Sequence, residues 1–211
     1  MKKIIKSLEW RYATKLFDSE KKLKNSDFEI VKESLRLSAS SFGLQPWKFV
    51  IVSNPELRTK MRKAAWDQSQ VTDASHVLVL AIKKNIDEAY VDAYVKDVAR
   101  TRGIGLETLS GYAGMMKGFI KGKTPEQLKE WSTKQLYIAL GTALTVMAEQ
   151  KIDACPMEGF DPAAVDTILG LQKQGLESRV LLPIGYRSKK DASAKYKKVR
   201  FPSQDVFITV S

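Results

Sequence analysis

Three observations along these 211 residues predict an α+β fold. Four short apolar runs rich in branched side chains lie among six or seven helix signals. They do not alternate regularly with those helices, as repeated βαβ units would require. Capping residues stand before prolines at three places, and one of the helices so opened is long and apolar.

In chain order, Ser26-Asp27-Phe28-Glu29 has the capping-box pattern and precedes an apolar series at Phe28, Val31, Leu35 and Leu37. Trp47 to Val52 reads as a strand, followed by a helix at Asn54-Pro55. His76 to Ile82 is a second strand, and Asn85 with Glu88 suggests another helix start. Thr124-Pro125-Glu126-Gln127 opens a helix running to about Gln150, and Asp161-Pro162 opens a short one. Arg179 to Ile184 and Val206 to Val210 complete the strands. In the long helix Leu136, Tyr137, Ile138, Leu140, Leu144 and Met147 exceed a single stripe, so enclosure on several sides is expected. Small residues at Ala139, Gly141 and Ala143 permit close approach of a second backbone, which predicts a homodimer around this helix.

No linker or repeat divides the chain, and its length suits one domain, 1–211. A hydrophobic fraction of 44% with 28% charged residues excludes a disordered or membrane-embedded class. Leu136 to Ala148 is too short to span a bilayer, no secretory pattern is visible, and the lone Cys155 excludes an internal disulfide. Together these predict a cytoplasmic protein. The net charge of +11 favours anionic partners, small phosphorylated molecules and nucleic acid alike, but the lysines are dispersed rather than massed in one arm.

Glycine-rich dinucleotide and Walker loops are missing from the sequence, and a single His76 with a single Cys155 cannot build a tetrahedral metal site. Both border apolar runs, where packing is the expected role. Arg11 and Lys15 are four apart and would share one face at a helix end, while Lys198 and Arg200 share one side of an extended segment. Two basic pairs can hold a phosphomonoester, although spacing alone leaves solvated surface charge as the alternative. Ser40-Ser41-Phe42-Gly43 and Pro156-Met157-Glu158-Gly159 are turns whose small residues and backbone N–H groups suit close approach to a ligand.

Arg-Tyr-Ala-Thr-Lys at 11–15, Ser-Ser-x-Gly-x-Gln-Pro-Trp at 40–47, Gln70 to His76, Pro-Met-Glu-Gly-Phe-Asp at 156–161 and Lys-x-Arg at 198–200 occur in this order. With these motifs the chain closely resembles the nitroreductase family of FMN-dependent NAD(P)H oxidoreductases. The resemblance implies a central mixed sheet flanked by helices, in an intertwined homodimer that exchanges C-terminal strands, here Val206 to Val210. It implies that Arg11, Lys198 and Arg200 hold the FMN phosphate, and that Tyr12, Ala13 and Lys15 run along the cofactor, Lys15 near N1 and O2. Ser40, Ser41 and Gly43 match a loop given by the other subunit. Asp67 and Gln70 match a pair at the polar edge of the flavin, with Asp where many relatives have Asn. Pro156, Met157, Glu158 and Gly159 match the turn against the ring, with the amide near Glu158 facing N5.

Lys15 and Glu158 are accordingly the expected supports of the flavin chemistry, and no metal is expected. The implied reaction is hydride transfer from NAD(P)H through flavin to nitroaromatic or quinone-like acceptors. Pteridine, enone or free-flavin reduction on the same scaffold is the alternative, and a basic nucleic-acid-binding protein is the alternative of a different class. Met115, Met116 and Phe119 are candidates for the acceptor pocket by their apolar character alone.

Overall fold

A computed structural model describes residues 2–210. The sheet is laid out in the order β1-β2-β4-β3, with β1 Trp47–Val52, β2 His76–Lys83, β3 Asp153–Ala154 and β4 Leu176–Gly185. Its ladders are all antiparallel, so the expected mixed sheet is corrected: the one parallel pairing among the described residues is the isolated bridge between Ala13 and Ala154, outside the strands. The helices are α1 Lys3–Trp10, α2 Asn25–Arg36, α3 Pro55–Ala64, α4 Gln70–Asp73, α5 Glu88–Arg102, α6 Ser110–Lys121, α7 Pro125–Glu149, α8 Pro162–Leu169 and α9 Ser203–Val206. The expected α+β class is therefore observed.

Strand β2 explains the layering. Successive side chains of a strand point to opposite faces, and both faces of β2 are buried, so its sequence is a continuous apolar run. Leu78, Leu80 and Ile82 join α2 and α7 in one core, through Leu35, Leu136, Ala139 and Met147. Val77, Val79 and Ala81 face α3 and α8 in a second, through Met61 and Val165. A third cluster ties α5 and α6 together through Val91, Val95, Met116 and Ile120.

Three predicted caps are formed. Asn54 Oδ1 accepts from Leu57 N–H, Asp161 Oδ1 accepts from Ala164 N–H, and Thr124 with Gln127 closes a reciprocal capping box. Two are corrected. Helix α2 starts earlier, with Lys24 at its N-cap, so Ser26 is inside the first turn and caps nothing. Helix α5 is capped by Asp87, which accepts from Tyr90 N–H, and not by Asn85. In both cases an apolar residue just ahead of the cap shares a core cluster with one at the fourth helical position: Leu23 with Phe28, and Ile86 with Val91. This staple sets the entry of the helix.

The predicted strand Val206 to Val210 is not formed within the chain. Val206 ends the single turn α9, and Phe207, Ile208 and Val210 are 72%, 90% and 92% exposed. A strand needs a neighbour, and none of the described sheet strands supplies one here. The expected enclosure of α7 is also incomplete within one chain. It buries Leu136, Ala139, Ala143 and Met147, whereas Tyr137, Ile138 and Gly141 remain exposed on the opposite stripe.

Candidate active site

Helix α1 ends at Trp10, and Arg11 already has an extended backbone, its N–H closing the last turn on the Ser7 carbonyl. Arg11 and Lys15 thus sit on an extended strap and not on the helical face expected from their spacing. Backbone pairing fixes the strap: Thr14 N–H donates to the Ala154 carbonyl at 3.2 Å, and Phe17 bridges antiparallel to Arg187. Tyr12 is held from one side by the Arg187 guanidinium, 4.5 Å from its ring centroid and 4.1 Å from that of Trp10. Asp153, almost fully buried, anchors that guanidinium through Nε at 2.8 Å.

Asp191 joins the strap to the C-terminal segment. Its Oδ2 accepts from the Tyr12 hydroxyl at 2.9 Å, Lys15 N–H at 2.8 Å and Leu16 N–H at 3.1 Å. Its Oδ1 accepts from Ser193 N–H at 3.0 Å. The chain then turns through residues 192–195 and returns over the strap, where the Lys198 ammonium donates to the Arg11 carbonyl.

Between strap and returning segment lies a cavity of about 580 Å³ lined by Arg11, Tyr12, Ala13, Lys15, Lys198 and Arg200, with Trp10, Glu9, Tyr196 and Lys197 at its margins. Two of the stretches expected to converge therefore do so, across almost the whole length of the chain. Among the described residues, none of Arg11, Lys15, Lys198 and Arg200 forms an ion pair with a carboxylate. Burial lowers the Arg11 guanidinium from its ordinary value, and the charge of Arg200 lowers it further. Burial likewise lowers Lys198, with Arg11 and Arg200 adding to the effect and Glu9 opposing it. Arg11 is part-buried, Lys15, Lys198 and Arg200 are exposed, and Glu9 is the one carboxylate in the cavity lining among the described residues, so the balance of charge there favours an anion.

The turn Pro156–Gly159 begins two residues beyond the strap's partner Ala154. Met157 is buried, and its backbone pairs with Leu181 in both directions at 2.8 and 3.0 Å, which takes its N–H out of play for a ligand. The N–H groups of Glu158 and Gly159 have no protein acceptor among the described residues. Glu158 accepts from the Tyr137 hydroxyl, so its carboxylate is turned toward α7, alongside a cleft lined by Pro156, Leu140 and Val180. Burial first, and Glu158 second, push the Tyr137 phenol up. The carboxyl of Asp67 is exposed and lies 3.5 Å from Arg62, while Gln70 is buried beside Cys155. Burial raises the Cys155 thiol, with Lys15 lowering it and Asp191 raising it.

Gly159 is closely covered by Trp66: a Cβ there would lie 2.7 Å from the indole ring, which would have to shift. Gln68 Nε2 donates to the Gly159 carbonyl at 2.8 Å, so the 66–68 turn buttresses the 156–159 turn. Trp66 nevertheless remains 71% exposed as a residue. Sequence reasoning passed over Trp66, Gln68, Arg187 and Asp191, since each acts through partners distant in sequence. Asp191 ahead of Ala-Ser has the local look of an ordinary turn residue.

Ser40, Ser41 and Gly43 are not brought to this cavity within the chain. Ser41 N–H donates to Gln135 Oε1 at 2.8 Å, Ser40 Oγ accepts from Gln45 N–H, and the Tyr112 hydroxyl donates to the Phe42 carbonyl at 2.9 Å. Gly43 has φ +73° under the Tyr94 hydroxyl, a place with no room for a side chain. Of the apolar candidates in α6, Met116 is fully buried in the third core cluster and Phe119 packs on Phe42 at 5.2 Å, leaving Met115 exposed. His76 stacks on Phe28 at 4.0 Å and Cys155 is buried, the packing roles expected of both.

The nitroreductase family model matches residues 8–186. This chain belongs to the nitroreductase family. It is an oxidoreductase scaffold spread over most of the chain. YfkO of Bacillus subtilis strain 168, by name a candidate NAD(P)H nitroreductase, is 40% identical over 200 residues, covering 87% of this chain and 88% of its own. SH0546 of Staphylococcus haemolyticus, similarly named, is 34% identical over 211 residues, covering 96% and 95%. Among solved structures, a candidate nitroreductase of Exiguobacterium sibiricum in complex with FMN superposes with a TM-score of 0.83 at 20% identity, covering 100% of this chain and 98% of that one. That similarity is one of fold. No described helix of this chain is long and apolar enough to cross a membrane.

Proposed function

We propose that this member of the nitroreductase family binds FMN and uses NAD(P)H to reduce nitroaromatic or quinone-like acceptors, working as a homodimer. The observation that carries the reading is the meeting of Arg11, Lys198 and Arg200 in one cavity with no carboxylate paired to them. That donor set fits a phosphomonoester dianion, each charge-assisted bond contributing about 1.5–3 kcal/mol. A dianion also offsets the burial, and after it the mutual repulsion, that lower Arg11 and Lys198. FMN held there would supply hydride chemistry between NAD(P)H and an electron-poor acceptor.

Each protein group then has a defined task. Arg11, Lys198 and Arg200 hold the phosphate, and Tyr12 and Ala13 line the way from there toward Lys15. The Lys15 ammonium stabilises negative charge on the pyrimidine edge of the cofactor. The amides of Glu158 and Gly159, without protein acceptors among the described residues, donate to the ring, and Gln70 and Asp67 serve its polar edge. The Ser40, Ser41 and Gly43 loop completes the site of the other subunit. The exposed stripe of α7 and the apolar tail at Phe207, Ile208 and Val210 support such a dimer, because strand β1 leaves one edge of the sheet without a neighbour among the described strands.

The test is anaerobic. Purified protein loaded with FMN is expected to lose its flavin absorbance on addition of NADH or NADPH and to recover it when a nitroaromatic or a quinone follows. Bound flavin that neither nicotinamide bleaches would overturn the proposal.

A further inference from the structure

Asp191 stands out because the residue is only 3% exposed beside a cavity dominated by cations, yet it neutralises none of them. No ion pair of Asp191 with Arg11, Lys15, Lys198 or Arg200 occurs among the described residues. Its oxygens are occupied instead by the Tyr12 hydroxyl and the amides of Lys15, Leu16 and Ser193. The first three donors belong to the strap near the start of the chain, and the fourth to the turn that launches residues 196–200. The same junction is reinforced by Ser188 N–H to the Leu16 carbonyl at 2.8 Å and Asp191 N–H to the Ser188 carbonyl at 3.0 Å.

We infer that Asp191 is a positioning residue for phosphate capture: it clamps the strap bearing Arg11 to the segment bearing Lys198 and Arg200, with its lone pairs committed to N–H and O–H donors so that the cations stay free. Burial pushes the Asp191 carboxyl up, but the bonds from Leu16, Lys15, Tyr12 and Ser193 together hold it below its ordinary value, as a fully bonded carboxylate requires. Two consequences of one residue can be separated by sign. As a charge, Asp191 opposes a dianion, and its removal tightens binding. As a clamp, it assembles the cations, and its removal weakens binding.

This inference rests on the reading that the cavity holds FMN, and the experiment distinguishes the two. FMN and riboflavin are titrated by fluorescence against the wild-type protein and Asp191→Asn, with a thermal melt of each. Wild type that binds FMN no more tightly than riboflavin sinks the FMN reading itself. With that reading intact, Asp191→Asn is expected to weaken FMN by roughly tenfold or more, the loss of one or two charge-assisted contacts, and riboflavin far less. FMN binding unchanged or tightened in Asp191→Asn overturns the clamp, as do equal losses for both ligands. Where Asp191→Asn does not fold, Tyr12→Phe keeps the ring and removes one of the four bonds. Its expected effect is about a threefold loss for FMN and a smaller loss for riboflavin, and an unaltered FMN affinity there overturns the clamp equally.

Discussion

Tyr12 and Asp191 share a hydrogen bond, and their titrations are displaced in opposite directions by it. Burial first and the Asp191 carboxylate second push the Tyr12 phenol up to about 12. A raised acid of this kind contributes stability that is complete below its unfolded value, about 10, and is lost as pH rises through its folded value. Asp191 is depressed, so its contribution is present above about 3.9 and is lost as pH falls through its lower folded value. The stability difference between wild type and Asp191→Asn, measured by urea unfolding, is therefore expected to be largest near neutrality and to narrow below about pH 4. A difference independent of pH would contradict the bonding assigned to the carboxylate. Lys15 lines the same cavity and its field reaches Cys155. Lys15→Met is expected to lower the midpoint potential of bound FMN by about 20–30 mV, equivalent to about 1 kcal/mol for a two-electron couple. An unchanged potential removes Lys15 from the electrostatics of the ring.

At the scale of elements, a buried cation carries an unusual share of the construction. Arg58 donates to the carbonyls of Val71, Thr72 and Ala74 and, at 3.4 Å, to that of Ser75, tying α3 to the end of α4 and to the entry of β2. Arg58→Met leaves those carbonyls without their donor and is expected to destabilise the fold by about 2–4 kcal/mol, read as a fall in the urea midpoint. Thr124→Ala, which opens the capping box of α7, is expected to cost about 1 kcal/mol. The contrast shows what a sequence makes legible. Thr124, Asn54 and Asp161 announce themselves because a cap and its proline are adjacent in the chain. Arg58 does not, since its acceptors lie 13 to 17 residues away and carbonyls have no sequence signature. The misplaced caps at Ser26 and Asn85 fail for a related reason. Burial of Leu23 and Ile86 in the core decides where each helix begins, and local polar pattern yields to it.

For the whole molecule, the sheet strands with apolar neighbours were readable, whereas the two-residue β3 is too short to leave a pattern. Within the candidate site, Arg11, Lys15, Lys198 and Arg200 were legible as charges, but the Asp191 junction that assembles them spans 176 residues and was not. Val206 to Val210 has the composition of a strand and is exposed within its own chain, which leaves it free for the proposed exchange with another copy. Ending the chain after Pro202 is expected to convert the dimer to monomer in sedimentation velocity and to release FMN, and an intact dimer would contradict strand exchange. The central claim is that cations from both ends of the chain hold one phosphate. It is tested most directly by titrating FMN and riboflavin against wild type and Arg200→Ala. FMN binding is expected to weaken by roughly 10- to 100-fold while riboflavin binding stays within a few-fold of wild type. Equal losses for the two ligands would contradict it.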